Sequence, residues 1–380
     1  MLYVSGSNLF SQWPSDKLYF NQFHLINEII NSKQDIILNE FRITQVNWSY
    51  NILNSSNTFY TIGAYRGEEK QIVKIPLPAS EETICMVAGN DYQLLFIVNN
   101  TIWVMNLDGT NEFRKLKITE NLLDDSNKKA KREMTIMKVS LINDACLYLT
   151  TDGSVYSGIL PSLIDTRHCI GKVCDIQCGY EHFVILTDVG RVYSWGNGRR
   201  LQLGHGDVSN LELPAEVDAL GGIKITKIVT GGWHTLALSE SGDLYAWGWN
   251  DTGQLGIKEM EANILNEELE TKCKHGELKE NFNSKSVKSY SVPTLVDLIN
   301  EYGNEVSHNV IDIACGSRHS VILLDDGSVW GTGWNKYGQL GLSNEEYPFQ
   351  EYFRKVFHVD SECSLSCGPW TTVLNVKRKQ

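Results

Sequence analysis

The chemistry this sequence could perform lies in its histidines, cysteines, aspartates and clustered glycines. His205-Gly206-Asp207 has the His-x-Asp spacing of a non-haem iron site, which a second, distant histidine would complete. The triplet, however, continues a Leu203-Gly204 turn whose counterparts elsewhere run on into Ile257 and Leu342, so no metal is expected there. Cys169, Cys174 and Cys178 could offer thiolates to zinc, but they do not form a CxxC pair. Cys178, Cys315 and Cys367 instead share one position beside a glycine, which suits a small buried side chain. Gly248 to Gly256 is rich in glycine, yet it lacks the following helix and the Lys-Ser/Thr pair of a phosphate loop. His182, His234 and His319 also occupy equivalent positions, each closing a Gly-x-x-His step. A catalytic histidine is singular, oriented by its own carboxylate and set beside a nucleophile. Three equivalent ones are expected to be structural, each hydrogen-bonding a turn of its own repeat. No catalytic residue, metal or cofactor is expected, and the chain reads as a non-enzyme.

The elements that carry these residues are copies of one another. Cys178-Gly179-Tyr180-Glu181-His182 to Leu203-Gly204 has the form of Thr230-Gly231-Gly232-Trp233-His234 to Leu255-Gly256, and of Cys315-Gly316-Ser317-Arg318-His319 to Leu340-Gly341. His182 to His234 is 52 positions, as is Trp195 to Trp247, while His234 to His319 is 85, the same register with an insertion of 33. A period near 50 points to a closed radial array of small sheets rather than a helical solenoid. Within the clearest copy, 223–257, a loosely alternating segment leads to Gly231-Gly232. Thr235-Leu236-Ala237-Leu238, the turn Glu240-Ser241-Gly242-Asp243, and Leu244-Tyr245-Ala246-Trp247-Gly248 follow. Three or four short strands separated by turn residues make one propeller blade.

Weaker copies fill the rest of the chain. The expected blades are 37–66, 83–106, 135–160, 173–206, 223–257 and 309–342, with a seventh made of 361–376 completed by 2–13. Cys367-Gly368-Pro369-Trp370 falls 52 positions after Cys315 and opens only half a repeat. Leu2-Tyr3-Val4-Ser5-Gly6-Ser7-Asn8 and Gln12 match Leu244 to Asn250 and Gln254 at a constant offset of 242. The expectation is an all-β, seven-bladed β-propeller closed by pairing of its N- and C-terminal segments, without open sheet edges. Leu201 stands where Gly253 and Gly338 stand, which predicts a different backbone conformation for that turn.

Composition limits the partners. A net charge of −12 is the wrong sign for a surface devoted to phosphates, so direct DNA binding is not expected. No apolar run approaches the ~20 residues of a membrane helix, Met1-Leu2-Tyr3-Val4-Ser5 does not read as a signal peptide, and nine cysteines without one imply a reducing compartment. Lys128-Lys129-Ala130-Lys131-Arg132 reads either as a nuclear import signal or as a solvated charged loop. Between Lys258 and Lys285 seven glutamates mix with five lysines, so 258–291 is expected to be a flexible acidic insertion.

Trp195, Trp247, Tyr193 and Tyr245 read as packing between blades. Trp249 and Trp334 differ, because another copy has Asn197 at that position and packing therefore does not require tryptophan. Both are candidate anchors for a protein partner, with Trp233, Arg318 and Trp370 in the analogous loops.

Gly-x-x-His followed by Leu-Tyr-x-Trp-Gly-x-Asn-x-x-Gly-Gln-Leu-Gly closely resembles the repeat of the regulator-of-chromosome-condensation family. The match is strong over 173–206, 223–257 and 309–342 and partial elsewhere. The resemblance implies a seven-bladed propeller sealed by both termini. Gly231-Gly232-Trp233-His234 before Trp247-Gly248-Trp249-Asn250, the long acidic insertion and the degenerate first repeats look most like the short single-propeller form within that family. That likeness implies a nuclear, chromosome-associated, monomeric protein, with the cytoplasm also open to it. Its implied partner is a Jumonji-C oxygenase of the lysine-demethylase type. Histone H3 lysine-36 methylation, spindle organisation and chromosome segregation would be the processes affected. Histone is a further candidate partner in that reading, and guanine-nucleotide exchange on a small GTPase, as the founding members perform, is the alternative.

Overall fold

The computed structural model describes residues 1–26, 42–56, 58–65, 68–76, 78, 86–98, 101–108, 112–116, 135–258 and 289–377. Their 28 strands form seven four-stranded antiparallel sheets, and each sheet is one blade. Blade 1 runs from Arg42–Val46 to Glu68–Lys74, blade 2 from Met86–Gly89 to Phe113–Leu116, and blade 3 from Ile136–Ile142 to Ser162–Leu163. Blade 4 spans Val173–Cys178 to Leu211–Glu216, blade 5 Ile225–Thr230 to Ser289–Leu295, and blade 6 Val310–Cys315 to Phe349–His358. Blade 7 is made from both ends of the chain. Cys363–Gly368 and Thr371–Val376 supply its two inner strands, Leu2–Ser7 and Tyr19–Leu25 its two outer ones. The seam is antiparallel and in register, with Leu2 opposite Asn375, Val4 opposite Val373 and Gly6 opposite Thr371. The innermost strands touch one another in sequence, and that of blade 7 meets that of blade 1, so the ring closes.

The burial patterns explain why these segments fold together. Second strands such as His234–Ser239 and His319–Leu324 are buried at every position, because a neighbouring blade covers each of their faces. Apolar side chains accordingly gather into seven clusters, one between each pair of adjacent blades. Between blades 4 and 5, Val184, Ile228 and Ala237 surround Trp247, whose exposure is 0%. Its indole N–H donates to the Gln202 carbonyl of blade 4 at 3.0 Å. Burial of such a ring contributes about 1.5–3 kcal/mol, and here the bond also fixes its orientation. Closer to the axis, Lys138 pairs with Asp175 and Lys227 with Asp312, each pair linking two innermost strands.

Two expectations need correction. Every blade extends beyond the expected boundary to a fourth strand, as with Leu211–Glu216, Ser289–Leu295 and Tyr19–Leu25. Residues 289–291 thus belong to blade 5 and not to the insertion, whose residues 259–288 lie outside the described ones. Second, Leu201 keeps the left-handed backbone of the glycines it replaces. Its φ is 62°, against 81° at Gly253 and 78° at Gly338. The turn geometry is conserved across the blades, and the leucine bears the strain of the left-handed region, roughly 1–2 kcal/mol.

Leu201→Gly is therefore expected to raise stability by up to about 1 kcal/mol, the relieved strain exceeding the loss of one half-buried side chain. Thermal unfolding of the two proteins tests this, and a lower midpoint for the variant would refute it.

Candidate protein-interaction face

The glycine-histidine steps pin neighbouring blades together. A β-carbon at Gly179, Gly231 or Gly316 would lie 2.0, 2.0 or 2.1 Å from Cε1 of His182, His234 or His319, so the imidazole fills the space that only glycine leaves. Contrary to expectation, each ring reaches the next blade rather than a turn of its own. Nε2 lies 3.1 Å from Thr235 Oγ1 for His182, 3.0 Å from Ser320 Oγ for His234, and 3.1 Å from Thr372 Oγ1 for His319. The Ser320 hydroxyl donates to the Gln254 carbonyl at 2.6 Å, and that of Thr372 to the Gln339 carbonyl at 2.7 Å. Each of these hydroxyls therefore accepts from imidazole Nε2–H. Nδ1 is buried and unbonded among the described residues. Burial holds all three rings neutral, their pKa values lowered to about 3, with the other two histidines adding to the effect at His234.

His205 has a comparable structural role. Its Nε2 is 2.9 Å from Ser194 Oγ, but that hydroxyl is fully buried and donates to the Leu203 carbonyl at 2.6 Å. The pair has neither a free proton for a base nor access for a substrate. Among the described residues no group of three or more His, Cys, Asp or Glu side chains is placed to hold a metal. No helix among them is long and apolar enough to cross a membrane.

The antiparallel order of each blade puts its first-to-second and third-to-fourth connections at one end of the ring, here termed the upper face. All five partner candidates lie there, half-buried: Trp233, Arg318 and Trp370 in the first connections, Trp249 and Trp334 where the third strands end. The first connections of blades 4 to 7 are joined through their backbones. Tyr180 N–H donates to Gly232 O at 2.9 Å, Gly232 N–H to Ser317 O at 3.1 Å, and Ser317 N–H to Pro369 O at 3.0 Å. The Tyr180 hydroxyl bonds that of Ser317 across Gly232. The platform is a pre-organised arc rather than a set of independent loops.

Aromatic and cationic side chains cover this arc. The Arg200 guanidinium lies over both Trp233 and Trp249, 4.0 and 4.7 Å from their centroids, and Tyr180 meets Trp233 edge-on at 4.9 Å. Arg318 lies 5.5 Å over Trp334 and 3.4 Å from the Asp251 carboxylate. Trp370 is 6.4 Å from Trp334 and 5.9 Å from Tyr337, and Trp48 carries the series to Phe10 at 5.4 Å. Trp249 and Trp334 are thus embedded in the arc, their indole N–H groups buried and unbonded among the described residues, rather than projecting singly. Arg200, Tyr180, Tyr337 and Trp48 escaped sequence reading. Arg200 occupies the repeat position of Thr252 and Tyr337, and that alignment could have revealed it. The import candidates Lys128, Lys129, Lys131 and Arg132 lie outside the described residues.

The chain is similar to known repeat proteins. The regulator of chromosome condensation (RCC1) repeat matches residues 189–238 and 241–323, and a second description of the same repeat matches 173–202, 225–254 and 310–339. The matched segments fall within blades 4, 5 and 6. Similar relatives include the human and mouse RCC1 domain-containing protein 1, 30% identical over 257 residues and 32% over 254. The aligned part is 64% of this chain and 64% of the human protein, and 63% of each for the mouse protein. Among solved structures, yeast RCC1 (Prp20) bound to Kap60 superposes with a TM-score of 0.70 at 17% identity, covering 100% of this chain and 89% of that one. Human WBSCR16 superposes at 0.68, also with 17% identity, over 99% of this chain and 100% of its own. These likenesses establish the fold.

The histidines generate a pH prediction. The folded protein binds fewer protons than the unfolded chain between its folded values near 3 and the unfolded value near 6.5. Their contribution is therefore complete above about pH 6.5 and is lost as the pH falls toward 3. His234→Gln should lower stability at pH 7.5, and its deficit relative to the parent should narrow by up to about 1.4 kcal/mol per unit of acidification below pH 6. Denaturant titrations at several pH values test this, and a constant deficit would contradict it.

Proposed function

We propose that this protein is a non-enzymatic binding module whose upper face docks a protein partner. One observation carries the reading: a rigid, half-exposed series of tryptophan, tyrosine and arginine runs across blades 4, 5, 6, 7 and 1. These residue types dominate binding energy when a partner excludes water from them. Their backbone is already ordered, so association incurs little further entropic cost. The third-to-fourth connection of blade 5 leaves from this face beside Trp249.

The finer reading draws on the family resemblance. The partner is a Jumonji-C oxygenase, and the complex acts in the nucleus on histone H3 lysine-36 methylation, with effects on spindle organisation and chromosome segregation. Histones are a further candidate partner, since a solved structure of Prp20p from Saccharomyces cerevisiae is described together with its binding to Gsp1p and histones. The binding-module reading predicts no acceleration of nucleotide release from a panel of small GTPases.

Trp249→Ala combined with Trp334→Ala is expected to weaken capture of the oxygenase at least tenfold while the far-ultraviolet spectrum and thermal midpoint remain those of a folded ring. Affinity purification followed by mass spectrometry measures the loss. Undiminished capture by the folded double variant would remove the face from consideration, and accelerated nucleotide release by the parent protein would replace the reading with exchange-factor activity.

A further inference from the structure

Three junctions along the upper face share one construction. In each, a side chain from the third-to-fourth connection of one blade packs onto the first connection of the next. Where blade 4 meets blade 5, Arg200 places a guanidinium over Trp233 and Trp249. Where blade 5 meets blade 6, Arg318 lies over Trp334 and is balanced by Asp251. Each of these junctions thus holds aromatic faces with a cation upon them. Where blades 6, 7 and 1 meet, the rings are more numerous and differently arranged. Tyr337, Trp370 and Trp48 have centroids 5.9, 6.2 and 5.9 Å apart, with interplanar angles of 67°, 76° and 55°. Among the described residues, no guanidinium or ammonium lies over any of the three.

We infer that this triangle of Trp48, Tyr337 and Trp370 is a receptor for a cationic side chain, lysine or arginine, presented by a basic segment of a partner protein. The three centroids form a nearly equilateral triangle. A cation resting ~4 Å above its centre is within the about 6 Å of every centroid over which cation–π attraction acts. The steep angles rule out a parallel stack and give the cluster the walls of an open cage. All three rings are half-buried, so they are held by the ring structure while part of each remains accessible. The surroundings favour positive charge. The Ser49 hydroxyl, next to Trp48, donates to the Asp91 carboxylate at 2.9 Å, and in the connection that carries Tyr337 the exposed Glu345 and Glu346 outnumber the exposed Lys336. The net charge of −12 adds a long-range attraction for a basic partner.

The inference rests on the proposal that the upper face docks protein, and the test separates the two. Full-length protein labelled with 15N in its tryptophans gives one indole signal per ring. It is titrated with the N-acetyl amides of lysine, trimethyllysine and arginine, and with that of norleucine as the uncharged control. The Trp48 and Trp370 signals should move with at least one cationic amide and remain still with norleucine, and the strongest of the three identifies the preferred side chain. Tyr337→Leu should weaken that binding at least fivefold while the buried Trp247 signal stays in place as a marker of the fold. Equal shifts with norleucine, no shift with any cation, or unchanged affinity in the folded Tyr337→Leu protein would each overturn the receptor. Cation binding at the triangle with undiminished oxygenase capture by the Trp249 and Trp334 variant would instead leave the receptor standing and discard the docking proposal.

Discussion

A four-stranded sheet of this kind has two apolar faces and can bury neither by itself. Every other property of the molecule follows from that constraint. Each blade's core lies between it and the next blade, which is why seven clusters exist instead of one, and why the second strands are buried on both sides. An open row of such sheets would leave one apolar face bare at each end. The antiparallel seam between Leu2–Ser7 and Thr371–Val376 removes both bare faces at once and leaves no innermost strand without two neighbours.

The conserved-looking details of the repeat serve the same purpose. Glycine three residues before histidine makes room for an imidazole. The imidazole then grips a hydroxyl on the adjacent blade, and in two of the three junctions that hydroxyl grips a carbonyl in return. Complete burial keeps the ring neutral, since a proton on the unbonded, buried Nδ1 would have no acceptor. The polar ties stand at the hub side of apolar interfaces that already hold the blades, so their contribution is to fix register as much as to add stability. With the register fixed, the upper connections become a platform whose tryptophans and arginines are displayed at set spacing.

Much of this was legible in the chain. The glycine-rich blades declared themselves through a fixed period, and the half-repeats at the two termini announced the seam. The outermost strands did not, for a physical reason. Leu211–Glu216 and Phe349–His358 have solvent on one side and an unpaired edge, so they need neither strict apolar alternation nor glycine. The histidine contacts were misassigned to their own repeats because sequence proximity suggested a local partner. The signal was nevertheless present, since Thr235, Ser320 and Thr372 occupy one repeat position, directly after the histidine site. Leu201 misled in the opposite direction, because packing between blades imposes a left-handed turn that residue type alone argued against. The cluster at Trp48, Tyr337 and Trp370 was out of reach, as it joins three blades and Trp48 lies 289 and 322 positions before the other two rings.

The seam also sets an order of events during synthesis. Leu2–Ser7 is made more than three hundred residues before Thr371–Val376, one of the two strands it pairs with. At 5–20 residues per second that interval lasts roughly 20–70 s. Throughout it, one edge of a strand with buried-type side chains lacks its partner, a template for adventitious pairing. A chain that stops anywhere before Thr371 lacks the strand that closes the ring.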